Sequence, residues 1–236
     1  MNPVIQNLRN EFIANADEKN RLSGQRFFKE DVNMYGLKTA DARKIINKWF
    51  AQVKTLPKSE ILELCEELWE SGWMEESFAA CEWSYRLHKV YEPSDFEVFE
   101  RWVSLYVSNW AACDTLCNHT VGEFIERYPE FLIRLKAWAH SPNRWMRRAS
   151  AVSLIIPARK GKFHDDILEI ADILLTDTDD MVQKGYGWML KAASQADQQR
   201  IFNYVMNKRT VMPRTALRYA IEKMPGDLRR KAMAKP

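Results

Sequence analysis

Glycine is scarce in this chain: 8 in 236 positions, about half the ~7% usual in proteins. Phosphate-cradling sheets of the dinucleotide-binding kind need glycines at their strand-to-helix turns, so the shortage speaks against that class. Long apolar runs are missing too. No window of 18 residues lacks a charge, which excludes a hydrophobic membrane-spanning helix. The first residues form no apolar stretch behind a basic one, and they place Glu11, Asp17 and Glu18 early. That is the opposite of a secretory signal, so a cytoplasmic protein is expected. Cysteine is sparse as well, and four in a chain this long make no disulfide framework. Cys113, Cys117 and His119 fall close together, but a metal needs three or four surrounding ligands. No second Cys/His cluster stands nearby, so buried thiols and no metal are expected.

What the chain does have is helical periodicity. Apolar residues make up 46% and charged residues 28%, enough for a sizeable core in a single domain spanning 1–236. Thr39 to Val53 opens on a threonine cap and places Ala42, Ile45, Ile46 and Trp49 on one face. Ser59 to Trp69 repeats the design with Ile61, Leu62, Leu64, Cys65 and Leu68 inward. Pro57, Pro93, Pro129, Pro142, Pro213 and Pro225 recur near helix starts, where a missing N–H costs little. The pattern predicts an all-α chain of about a dozen helices with no strand alternation. Paired at roughly 35–45 residues, the helices have the spacing of HEAT-type repeats, whose stacking makes a concave surface.

Charge is segregated along the chain. Residues 60–100 carry twelve acids against two bases. Residues 131–164 carry Arg134, Lys136, Arg144, Arg147, Arg148, Arg159, Lys160 and Lys162 and no acid, and residues 200–236 carry ten bases against two acids. One electropositive side, suited to a polyanion, is the expectation. Because the basic segments span separate helices, nucleic acid is favoured over membrane.

Three stretches stand out for chemistry. From Trp102 to Gly122 the 21 residues hold one formal charge, Asp114. It is a misplaced surface residue, a cap following Ser108-Asn109, or a carboxylate kept in an apolar setting for a purpose. Trp110, four residues earlier, shares its helix face, and a carboxylate beside an aromatic plane suits a cationic ligand. In Asn143-Arg144-Trp145-Met146-Arg147-Arg148 no carboxylate is near in sequence, so the guanidinium groups need distant partners, water or phosphate. In Lys184-Gly185-Tyr186-Gly187-Trp188, two glycines in a helical pattern cost about 1 kcal/mol each. Close helix packing, or room for a ligand beside Trp188, could account for that cost.

Trp110-x-x-x-Asp114, then Trp145-x-x-Arg148 and Gly187-Trp188 in that order, resemble the DNA alkylation repair family of HEAT-like glycosylases. The similarity runs from end to end, through Tyr35-Gly36-Leu37-Lys38-Thr39 with Arg43 and through Ala216-Leu217-Arg218-Tyr219-Ala220-Ile221-Glu222-Lys223. It implies a right-handed α-helical solenoid whose concave basic groove holds duplex DNA. It also implies excision of N3- and N7-alkylated purines by N-glycosidic hydrolysis, without base flipping and with no cofactor. Trp110, Asp114 and Trp188 fall where the family lines its lesion site, and Arg148 falls on its arginine position. Phe27 stands where the type member has a tyrosine, which keeps the ring and loses the hydroxyl. Thr39, at a helix N-cap, and Arg43, Arg147, Lys191, Arg214 and Arg218 are candidates for backbone phosphates.

The expected partner is therefore double-stranded DNA carrying alkylated purines, met by a monomer without an obligate protein partner, nucleoid-associated when bound. No lysine lies within the Trp110–Asp114 helix or beside Arg148, so strand cleavage through an amine nucleophile is not expected. The rival readings are a non-catalytic HEAT-like protein binding branched or distorted DNA, and a protein–protein scaffold.

Overall fold

A computed structural model describes residues 2–234. Among them the only extended pairing is an isolated bridge between Asn33 and Trp73, so the all-helical expectation stands. The chain divides into two compact units, Met1–Leu116 and Cys117–Pro236.

The first unit holds α1 (Pro3–Ala14), α2 (Glu18–Gln25), α3 (Thr39–Val53), α4 (Lys58–Glu70), α5 (Met74–Arg86), α6 (Asp95–Leu105) and α7 (Trp110–Thr115). Here α3 packs on α5 and α5 on α7, making one row, while α1 and α4 back that row. The second unit holds α8 (Gly122–Arg127), α9 (Leu132–Ala139), α10 (Arg144–Val152), α11 (Ile155–Arg159), α12 (His164–Ile173), α13 (Asp180–Ala193), α14 (Gln198–Lys208), α15 (Arg214–Ile221) and α16 (Gly226–Met233). There α10, α13 and α15 form the row, with α9 against α10 and α12. Such two-row stacking of successive helix pairs is solenoid architecture.

Local chemistry sets the helix starts. Asn109 Oδ1 accepts the amide of Ala112, Asp179 those of Met181 and Val182, and Asn143 that of Trp145. Pro57, Pro213 and Pro225 occupy N-cap positions with extended ψ, one residue outside their helices. The threonine cap on α3 is a correction. Lys38 is the N-cap, in extended conformation with no side-chain cap bond, and Thr39 is already the first helical residue. The start of α3 is fixed instead from α5. The Glu75 carboxylate, 2% exposed, accepts the amides of Tyr35, Gly36 and Leu37 at 3.0, 2.9 and 3.2 Å. Gly36 is obligatory there, since its φ is +85° and a Cβ would stand 2.3 Å from the Asp17 carbonyl oxygen.

The repeat length is written in the ion pairs. Lys58–Asp95, Arg101–Glu66, Lys136–Glu169, Arg147–Asp177, Lys160–Glu126 and Lys191–Glu222 join residues 37, 35, 33, 30, 34 and 31 positions apart. Each links a helix to its counterpart about one repeat away. This qualifies the expectation of an electropositive side from residues 131–164. Lys136, Arg144, Arg147, Lys160 and Lys162 all meet carboxylates supplied from outside that segment. Burial raises the Glu126 pKa, but hydrogen bonds from Lys160 and Lys162 outweigh it and leave the carboxyl below its usual range.

Candidate functional site

The six-residue α7 is short because Asn109 starts it and a π-helical turn, Leu116–Val121, takes over where it ends. Such turns widen the helix locally and are common at functional sites. With Ala112 and Cys113 committed to the core, Trp110 and Asp114 fall on the opposite, partly exposed face. The capping role is filled by Asn109, 4% exposed, so Asp114 is not the cap. Thr115 spends its hydroxyl on the Ala111 carbonyl at 2.7 Å.

Trp110 is held from the segment after α2. Its Nε1 donates to the Phe27 carbonyl at 3.2 Å, and its ring stacks on Phe28 at 5.3 Å and 20°. Phe27 itself is 74% exposed. Phe28, and not the Phe27 expected from the sequence, is the ring that packs on Trp110. The available signal was the paired aromatic at 27–28, since one ring of such a pair can bind a neighbour while the other stays outside.

Thr39 and Arg43 line a cleft of ≈ 230 Å³ together with Leu37, Phe78, Glu82 and Thr115. Arg43 reaches Glu82 at 3.4 Å while remaining largely exposed. Thr39 is exposed at the α3 N-terminus, where the first helical amides have no intrahelical partner.

In the second unit, Arg148 is 5% exposed and its Nη1 donates to the Met181 carbonyl, tying α10 to α13. Gly185 leaves space for it, because a Cβ there would lie 3.2 Å from Arg148 Cγ. Gly187 lets α13 approach α15, where a Cβ would stand 2.7 Å from Tyr219 Cβ and 2.8 Å from the Ala216 carbonyl oxygen. Helix packing therefore accounts for both glycines. Trp188 follows Gly187 and is half-buried. Arg144 stacks on Trp145 at 4.6 Å and pairs with Asp179 at 3.2 Å.

The expected phosphate ligands divide. Arg147 bonds Asp177 at 2.6 Å and the Ser141 and Pro142 carbonyls at 3.0 Å, so its guanidinium is committed inside the protein. Lys191 is held by Glu222 at 2.9 Å and lies over the Tyr219 ring. Arg214 is exposed and reaches the Met233 carbonyl at 3.5 Å, a weak bond. Arg218 is exposed with no hydrogen-bonded or ionic partner among the described residues.

Cys113 and Cys117 are fully buried and His119 is exposed, and no group of three ligating side chains is gathered for a metal among the described residues. No described helix is long and apolar enough to cross a membrane.

Residues 8–224 match the family model described as DNA alkylation repair enzyme. The chain is similar in structure to a protein described as "Predicted DNA alkylation repair enzyme from Enterococcus faecalis". That likeness has a TM-score of 0.79 at 16% identity, covering 89% of this chain and 97% of the other, and it is a likeness of fold. No curated protein matches the chain in sequence.

Proposed function

The chain belongs to the DNA alkylation repair enzyme family, and on that premise we propose that it hydrolyses the N-glycosidic bond of N3- or N7-alkylated purines in duplex DNA. The observation that carries this reading is the Trp110–Asp114 pair. An indole is clamped in place by Phe28 and the Phe27 carbonyl, four residues from a half-buried carboxylate. Such a pair suits positive charge: the ring face attracts it and the carboxylate neutralises it.

Alkylation at N3 or N7 makes the purine a cation and already a good leaving group, so little general-acid help is needed. As the bond from C1′ to the purine nitrogen breaks, its electron pair goes to the base, which departs neutral. Positive charge moves to the deoxyribose, giving an oxocarbenium-like transition state. Asp114 stabilises that charge and orients the water that attacks C1′. Trp110 offers its ring face to the sugar and the cationic base, while Arg148, buried and donating to the Met181 carbonyl, holds α10 against α13, the helix that carries Trp188. The exposed Phe27 ring lies against the duplex, and Thr39, Arg43, Arg214 and Arg218 meet phosphates. Arg147 is left out because Asp177 and two carbonyls already occupy it. Without an amine nucleophile the reaction ends at hydrolysis, and the strand is not cut. The base need not leave the stack, as the resemblance implies.

The test is release of free base from methylated duplex DNA under single-turnover conditions, comparing wild type with Asp114→Asn. Released 3-methyladenine or 7-methylguanine from wild type alone supports the reading. Tight DNA binding with no base released by either protein would favour a non-catalytic DNA-binding solenoid.

A further inference from the structure

Neutralisation of cations by carboxylates one repeat away runs through the second unit from Lys136 to Arg200 and Lys208. It stops at the corner between α15 and α16. Arg218, Arg229 and Arg230 line one open concavity of ≈ 460 Å³ there, with Ile221, Gly226 and Met233. Glu222, the acid in that lining, is held by Lys191 at 2.9 Å. All three arginines are exposed, and none of their guanidinium groups has a hydrogen-bonded or ionic partner among the described residues. Arg230 folds back over the first turn of α16: its Nη1 lies 3.4 Å from where a Cβ on Gly226 would stand.

Three guanidinium groups around one concavity repel one another unless an anion joins them. Arginine forks match phosphate oxygens two at a time, and the unpaired amides at the start of α16 add partial positive charge. We propose that this corner binds a phosphodiester of the DNA backbone, as a contact separate from the residues assigned to the lesion. The inference rests on DNA being the substrate. The concavity is too open to enclose a single phosphate ion, and its apolar lip of Ile221 and Met233 suits the deoxyribose between two phosphates. Three arginines fall short of the 4–8 basic residues of a lipid-binding cluster.

The test is binding of an unmodified, fluorescein-labelled duplex by anisotropy across a salt series. Wild type is compared with Arg229→Gln/Arg230→Gln, with Arg218→Gln, and with a control pair of exposed lysines, Lys19→Gln/Lys54→Gln. Each phosphate contact contributes about 0.9 to the slope of log K against log salt, so the double variant should flatten it by ~1–2. Arg218→Gln should flatten it by about 1, and the control pair should leave it unchanged. A double-variant slope equal to wild type, or an equal flattening by the control pair, overturns the proposal. Inorganic phosphate tests the other source. If it raises the wild-type Tm more than the double variant's while the DNA slopes agree, the site takes a free anion and the phosphodiester assignment is wrong. Wild type that binds DNA with this slope but releases no base would refute the glycosylase reading and leave this one standing.

Discussion

Trp110 in the first unit and Trp188 in the second, both partly exposed, are fixed in opposite ways. Trp110 stands on a six-residue helix and is steadied by side-chain stacking on Phe28 and one bond to a backbone carbonyl. Trp188 stands inside the 14-residue α13, where a missing Cβ at Gly187 lets the backbone close on α15. The first arrangement can be loosened without disturbing the core. The second cannot, because the ring's position is set by the helix–helix distance. Substitutions on α7 should therefore act on rate, and substitutions around Gly187 on stability.

The sharpest way to test that division is Asp114→Asn. Loss of the carboxylate should lower single-turnover excision about 10²-fold or more, the size of losing one transition-state charge contact. The half-buried position leaves the core intact, so Tm and duplex affinity should stay near wild type. Equal losses of rate and binding would refute the assigned role. Next in size is Gly187→Ala. Its Cβ would meet a backbone oxygen at 2.8 Å as well as Tyr219 Cβ at 2.7 Å, and neither yields easily. Overpacking of this kind costs ~1–3 kcal/mol, which urea unfolding would read directly. Gly185→Ala sharpens the contrast. Its Cβ meets the flexible Arg148 side chain at 3.2 Å, and alanine restores about 1 kcal/mol of helix propensity, so near-neutral stability is expected.

Much of the framework was legible in the sequence because helical periodicity is local. The α3 and α4 extents came within a residue of observation, and Ile61, Leu62, Leu64, Cys65 and Leu68 are all buried as their spacing demanded. Thr39 was misread because threonine is a good cap by type. The chain instead spends Glu75, 36 positions away in sequence from Thr39, on the amides leading into α3. The partners of the basic run at 131–164 were hidden for a related reason. Its neutralising acids, Glu126, Asp166, Glu169, Asp177 and Asp179, lie just outside the run and meet it only through helix stacking. Charge counted along a chain says little about charge on a face until the repeat length is known. Phe28 was hidden similarly, since nothing local says which ring of Phe27-Phe28 turns inward.

Phe28→Ala carries the comparison into the α7 site at a smaller scale. Phe28 acts as a positioning residue, so its loss should free the Trp110 indole and lower excision about 10-fold, roughly 1.4 kcal/mol of barrier. The distinguishing readout is spectroscopic: indole emission should shift red and become more accessible to quencher. Phe28→Leu should restore part of the rate by refilling the space. Phe27→Ala, removing a ring that does not touch Trp110 by stacking, should leave that emission unchanged while weakening duplex affinity. A normal emission spectrum in Phe28→Ala would remove Phe28 from the site.

A small effect on stability is expected from the ionic ties between repeats, one taken from each unit. Glu66 and Glu126 are both pushed up by burial and held lower, on balance, by hydrogen bonds from Arg101, Trp102 and Tyr106 and from Lys160 and Lys162. A carboxyl whose pKa is depressed in the folded state adds stability above its unfolded value and loses it as pH falls through the folded value. Both ties should thus weaken progressively below about pH 4.5, the unperturbed value. The cations are nearly half exposed, so each tie is screened and contributes less than ~1 kcal/mol. Glu126→Gln should cost that much at pH 7 and little at pH 3, flattening the acid limb of the stability curve. A cost that is the same at both pH values would mean that Glu126 acts through packing, and that charge pairing between repeats is not what sets the acid limit in this unit.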